Sequence, residues 1–129
     1  MEYSDYVRQG QHAAALYDAG NHDGAGAVFE ALAQDVSLPE VDRANMYRNA
    51  AICLQPAGGV ERVEQLFDQA IALEQKWNRA PAREAKWTWL LSTFRRDEAR
   101  ELAEAILAEG WLTLDERRTW EDRRFQSRA

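Results

Sequence analysis

Residues 13–32 read Ala13-Ala14-Ala15-Leu16-Tyr17-Asp18-Ala19-Gly20-Asn21-His22-Asp23-Gly24-Ala25-Gly26-Ala27-Val28-Phe29-Glu30-Ala31-Leu32, the centre of a segment from Gln9 to Ser37 whose reading decides the fold. On either side of Gly20-Asn21 the apolar residues recur near the 3.6 period of an amphipathic helix. Gly20 and Asn21 both tolerate the left-handed conformation of a helix end, so they predict a stop between two helices. Gly24 and Gly26 weaken the second helix by about 1 kcal/mol each relative to Ala. Glycines so placed fit a tightly packed hairpin in which another backbone comes close.

Outward from this hairpin the same grammar continues. The first helix starts near Tyr3, with Tyr3, Tyr6, Val7, Ala13, Ala14, Leu16 and Tyr17 apolar, and the second spans His22 to Gln34, with Ala25, Val28, Phe29 and Leu32 on one face. Ser37-Leu38-Pro39-Glu40 has the spacing of a capping box and opens a third helix to Gln55. Its inward residues are Val41, Tyr47, Ala50, Ala51 and Leu54. Pro56-Ala57-Gly58-Gly59 is the sharpest break in the chain. A fourth helix, Val60 to Trp77, carries Val63, Leu66, Phe67, Ala70, Ile71 and Leu73 as its stripe. A fifth, Pro81 to Phe94, has Trp87, Leu90, Leu91 and Phe94. Asp97 is expected to cap a sixth, with Ala99, Leu102, Ala103, Ile106 and Leu107 inward and Gly110 at its end. Thr113-Leu114-Asp115-Glu116 is a second capping box. It opens a strongly charged seventh helix to Phe125, whose apolar residues are Leu114, Trp120 and Phe125. No strand-like alternation occurs. The fold class is all-α, with seven helices.

The 129 residues amount to about one domain, and they suffice for a core without disulfide or metal. The single cysteine, Cys53, can form no internal disulfide and fits a reducing compartment. Met1 to Gly10 is polar, unlike a secretory leader, and no apolar run is long enough for a membrane span. The expected location is therefore the cytoplasm, with no membrane partner. The net charge is -6: residues 1–80 hold 6 Lys+Arg and 12 Asp+Glu, and residues 81–129 hold 10 of each. An acidic chain lacks the clustered cations that bind a phosphate backbone, so no nucleic acid is expected.

The helix pairs align with one another. Phe29 and Phe67 are 38 residues apart, as are Ala13 and Ala51, and Tyr47 and Trp87 are 40 apart. A period of this length in helical sequence indicates a solenoid of hairpins. Here the chain resembles the tetratricopeptide repeat family. The first repeat matches at Ala13, Leu16, Gly20, Ala25 and Phe29. The second matches at Tyr47, Ala50, Ala51, Leu54, Phe67 and Ala70, and the third at Trp87, Leu90, Phe94, Ala103 and Leu107. The repeats run over about 5–37, 40–77 and 81–110 of a single domain, with 113–125 as a solvating end helix. Departures are Gln9 in the first repeat's aromatic place, Leu91 in a small-residue place, a longer turn after Leu54, and no clear late proline. The resemblance implies a right-handed superhelical stack that binds other proteins. Alanines at Ala13, Ala25, Ala51 and Ala70 let helix axes approach, and Phe29, Tyr47, Phe67 and Trp87 fill the space between hairpins.

Nothing in the sequence composes an active site. His12 and His22 have only Asp18 and Asp23 near them as further ligands, too few for a metal reading, and no cofactor is expected. Cys53 sits mid-helix between Ile52 and Leu54, the setting of a core residue and not of an activated thiol. Gly58-Gly59 follows a helix with no Lys-Ser/Thr after it, which excludes a phosphate loop. The Arg pairs of the last helix interleave with Asp115, Glu116, Glu121 and Asp122, a pattern of intrahelical ion pairs. The expectation is a non-catalytic protein-interaction module. In the family it resembles, the first helix of each pair lines the concave face. That places Tyr17, Arg48, Asn49, Ile52, Gln55, Thr88, Trp89, Ser92 and Arg95 in a groove for a peptide or helix of a partner. The residues at the family's carboxylate-clamp positions are Gly10, Ala14, Asn49, Ala85 and Trp89, of which Asn49 alone suits the role, so no clamp is expected. The alternative is self-association into a homodimer through the exposed ends of the stack.

Overall fold

The computed structural model describes residues 1–57 and 59–127. Gly58, part of the predicted Pro56–Gly59 break, lies outside the described residues. Seven α-helices follow in order among them: α1 Tyr3–Asp18, α2 His22–Gln34, α3 Glu40–Leu54, α4 Val60–Glu74, α5 Pro81–Ser92, α6 Arg96–Leu107 and α7 Leu114–Gln126. One-turn 3-10 helices at Gln55–Ala57 and Gln75–Trp77 finish α3 and α4. No described residue is in a strand. The chain divides into two compact units, Met1–Ala82 and Arg83–Ala129.

In the first unit consecutive helices pack, α1 on α2, α2 on α3 and α3 on α4. The alanines do what their size allows. Ala13, Ala25, Ala51 and Ala70 are fully buried, and Phe29, Tyr47 and Phe67 are buried beside them in the sequence pattern. Gly26 explains one close approach. A Cβ built there would lie 2.8 Å from Leu54 Cδ2, so any side chain would push into the end of α3. Gly24 has a different reason: its N–H donates to the Asn21 side chain, which caps α2 at 2.9 Å and occupies the space a Cβ would take. At the far end of the unit the buried Glu74 accepts the Ala82 N–H at 2.8 Å, closing the first turn of α5.

In the second unit α6 packs on α7. Two polar side chains are buried with their bonds made. Arg83 pairs with Glu109, whose other oxygen accepts the Trp111 indole N–H at 2.7 Å. Trp87 donates its indole N–H to Ser127 Oγ at 3.1 Å, and Ser127 in turn donates to the Arg123 carbonyl at 2.7 Å. The Arg123 guanidinium lies over both the Trp87 and Trp120 rings, 5.7 and 4.5 Å from their centroids. These contacts fix α7 on α5 through aromatic faces, where a cation is favoured by the ring quadrupole.

Three interhelix turns share one device. Gly20, Asn78 and Phe94 all have left-handed backbone, with φ of 87°, 53° and 60°. At each, the N–H of the left-handed residue bonds the carbonyl three back, and the next N–H bonds the carbonyl five back: Tyr17 and Leu16, Gln75 and Glu74, Leu91 and Leu90. This is the Schellman closure, which satisfies the last carbonyls of a helix. The buried positions repeat with the turns. Ala13, Ala51 and Trp87 are buried, as are Ala25, Val63 and Ala99, Phe29, Phe67 and Ala103, and Leu32, Ala70 and Ile106, each set spaced by 38 and then 36 residues, so Trp87 falls at the place of Ala51 and not at that of Tyr47, with which the sequence pattern aligns it.

Three local expectations are corrected. The Ser37–Glu40 capping box does not form. Pro39 is the N-cap of α3 and gives no side-chain bond, while Ser37 donates both its N–H and its hydroxyl to Asp35 Oδ1 at 2.9 and 2.6 Å. The nearer carboxylate wins, as short polar side chains do in turns. Those bonds hold the Asp35 carboxyl below its usual range. Arg95 and not Asp97 is the N-cap of α6, because the Schellman turn at Phe94 lets the next helix begin at once. Phe94 lies past the end of α5 and is 85 % exposed. Leu114 and Phe125 face solvent, so Trp120 is the apolar anchor of α7. The second predicted box is present: Thr113 Oγ1 accepts the Glu116 N–H at 3.2 Å, and Glu116 accepts the Thr113 N–H at 2.9 Å.

Candidate functional site

Helices α1 and α3 both pack on α2, and a groove runs between them with Phe29 of α2 as its floor. One end, a cleft of 220 Å³, is lined by Ala14, Tyr17 and Asp18 from α1 and by Asn49, Ile52 and Cys53 from α3. The other, 370 Å³, is lined by Tyr6, Val7, Gly10, Gln11 and Ala14 from α1 and by Met46 and Asn49 from α3. Ala14, Phe29 and Asn49 belong to both, so the two clefts are one groove. From Tyr6 to Tyr17 it follows α1 for three turns, or about 16 Å at the helical rise. The residues nearest the middle, Gly10 and Ala14, are small, and that is why the groove is open there.

The groove is mostly apolar, and some of its polar groups have capacity to spare. Asn49 Oδ1 accepts from Arg48 Nη2 at 3.1 Å. Its amide nitrogen donates to no group among the described residues and borders both clefts. The Asp18 carboxylate is exposed at one end and has no ion-pair partner among the described residues. At the other end Tyr6 faces Asp42 of α3. Burial, and after it the Asp42 charge, raise the Tyr6 pKa. Cys53 is 4 % exposed, and desolvation raises its pKa. The thiol remains protonated and unreactive at neutral pH.

The structure brings Tyr17, Asn49 and Ile52 of the sequence-derived set together in this groove. Arg48 stands beside it with its guanidinium on Asn49, and Gln55 is half-buried in the 3-10 turn after α3; neither lines the clefts. Thr88, Trp89, Ser92 and Arg95 fall in the second unit. The hydroxyls of Thr88 and Ser92 serve their own helix. Thr88 donates to the Glu84 carbonyl at 3.2 Å and Ser92 to the Trp89 carbonyl at 2.7 Å. Trp89 is only 5 % exposed, and Arg95 lies 5.1 Å over its ring while bonding Glu98. Sequence reasoning missed Tyr6, Val7, Gln11, Asp18, Phe29, Met46 and Cys53 as lining residues, and named Gly10 and Ala14 only as positions unsuited to a clamp. For those of α1 the signal was present in the first helix, where small residues interrupt the apolar stripe.

Among the described residues no group of three or more His, Cys, Asp and Glu side chains is placed to hold a metal ion. His12 is exposed, and His22 packs edge-on against Tyr17 with ring centroids 4.7 Å apart. No described helix is long and apolar enough to cross a membrane. In α7 the ion pair of the expected kind is Arg117 with Glu121 at 3.4 Å, while Arg123 reaches Glu84 of α5 at 3.5 Å. No family profile matches the chain, and no curated protein or solved structure matches it either.

Proposed function

We propose that the protein is a non-catalytic interaction module, built of tetratricopeptide-like hairpins stacked as a right-handed superhelix, that holds a segment of a partner protein in the α1–α3 groove. The observation that carries this reading is the groove itself: an apolar trough floored by Phe29, with the unused Asn49 amide donor at its centre. An apolar groove between helices is one recurring form of peptide site. The recurring Schellman turns and buried positions support the repeat architecture. The single buried thiol fits work in the cytoplasm.

The test is selection of a displayed random peptide library on the immobilised protein, followed by titration of the enriched peptides. Asn49→Ala removes one hydrogen bond and is expected to weaken binding about 2- to 10-fold. Ala14→Arg, at an exposed α1 position, fills the middle of the groove and is expected to abolish binding with helicity unchanged by circular dichroism. Peptides that bind wild type and Ala14→Arg equally would place the site elsewhere.

A further inference from the structure

The groove favours a particular chemistry. Its walls accept an apolar side chain, and the unpaired Asp18 at its end favours a cation beside that side chain. No Lys or Arg lines either cleft, and the first unit carries all of the chain's net negative charge. An aromatic residue with a basic neighbour is therefore the best occupant.

The chain presents such a pair. Phe94 is 85 % exposed. Its φ of 60° is in the left-handed region, which a bulky side chain rarely adopts. The two other turns of the same hydrogen-bonded form have Gly20 and Asn78 at that place, residues suited to it. Phe94 thus combines a strained backbone with a side chain that buries nothing, and neither property stabilises the folded monomer. Strain of this kind is found where a residue is needed for a contact. Two residues on, Arg96 is exposed and has no ion-pair partner among the described residues.

We propose that the occupant is a second copy of this chain: Phe94 of one molecule enters the α1–α3 groove of another, and Arg96 meets its Asp18. This rests on the groove reading above and names its partner. Phenylalanine is a large, rigid anchor of the sort that dominates small interfaces, and the 220 Å³ cleft is large enough for its ring. The charges of the first unit and of Arg96 steer the two copies into the same register.

The experiment is sedimentation velocity on the full chain from micromolar to millimolar concentration. Wild type is expected to associate reversibly, and added salt is expected to weaken it. Phe94→Gly is expected to weaken association more than about tenfold while raising the melting temperature, because the same change removes the anchor and the strain. Ala14→Arg is expected to be monomeric for the opposite reason. The two variants mixed are expected to form a one-to-one complex, since one supplies an intact groove and the other an intact Phe94. Wild type that stays monomeric throughout, Phe94→Gly that associates as wild type does, or a mixture that fails to pair would each overturn the proposal. If library-selected peptides still bind wild type and not Ala14→Arg in that event, the groove reading survives and only its occupant is wrong.

Discussion

The α1–α2 turn and the α5–α6 turn use the same backbone with different residues. Ala19-Gly20-Asn21 and Thr93-Phe94-Arg95, offset by 74 residues, make matching bonds from each N–H to its upstream carbonyl. At the left-handed position one has the residue best suited to it and the other has one of the least suited. The conformation is therefore imposed by the need to close the helix and reverse the chain. Residue preference only decides how much strain that closure stores. The hairpins on either side compare in the same way. Ala13 and Phe29 in the first correspond to Trp87 and Ala103 in the third, and all four are buried. Large and small have changed places, while the buried positions have not.

The largest effect expected from this comparison is at Trp87. Trp87→Ala leaves two small residues where each other hairpin has one large, and it also removes the bond to Ser127 and a face of the Arg123 stack. A loss of about 3–5 kcal/mol is expected in denaturant titration. A loss under about 1 kcal/mol would mean that the third hairpin does not depend on its aromatic as the first depends on Phe29.

The turns themselves should respond with opposite signs. Gly20→Ala puts a Cβ into the left-handed region and is expected to destabilise by about 1 kcal/mol. Phe94→Gly relieves the same penalty and is expected to stabilise by about 1 kcal/mol at most, less the flexibility glycine adds to the unfolded chain. Thermal melts of both variants against wild type measure this directly. Two changes of the same sign would show that the matching hydrogen bonds conceal different energetics.

The smallest effect separates two helix starts. Asn21 caps α2 with a neutral amide, whereas Thr113 and Glu116 cap α7 with a carboxylate. The bonds from Thr113 lower the Glu116 pKa from its ordinary 4.5. A depressed folded value means that the contribution is complete above pH 4.5 and is lost as pH falls through the lower, folded value. Backbone carbon shifts of Leu114–Glu116 should move toward coil values over that range while those of His22–Gly24 do not. If both starts moved together, global acid unfolding would be the cause.

Much of the helical pattern is legible in the amino-acid sequence, because it depends on local terms. The 3.6 period, Gly20-Asn21, Pro56 and Thr113–Glu116 each act within a turn or two of chain. Where two local solutions compete the sequence is ambiguous: Ser37 could serve Glu40 or Asp35, and the shorter reach prevails. Periodicity assigns Phe94 to an apolar stripe, since a repeat pattern cannot show that a helix has already ended. Trp87 and Trp89 are two apart, so helical spacing puts them on different faces, yet both are buried, one against Ser127 and the other beneath Arg95.

The groove divides along the same line. Tyr17, Asn49 and Ile52 could be named from the sequence because helix period and repeat offset place them on corresponding faces. That Gly10 and Ala14 open the trough, that Phe29 floors it, and that the Asn49 amide is left with a donor to spare were decided by tertiary structure. Sequence by itself determined where this chain is helical and where it turns, since those depend on neighbours a few residues away. Only the packing of α1 and α3 on α2 decided which faces stay uncovered, because a gap between helices is fixed by residues far apart in the chain and by the side chains missing between them.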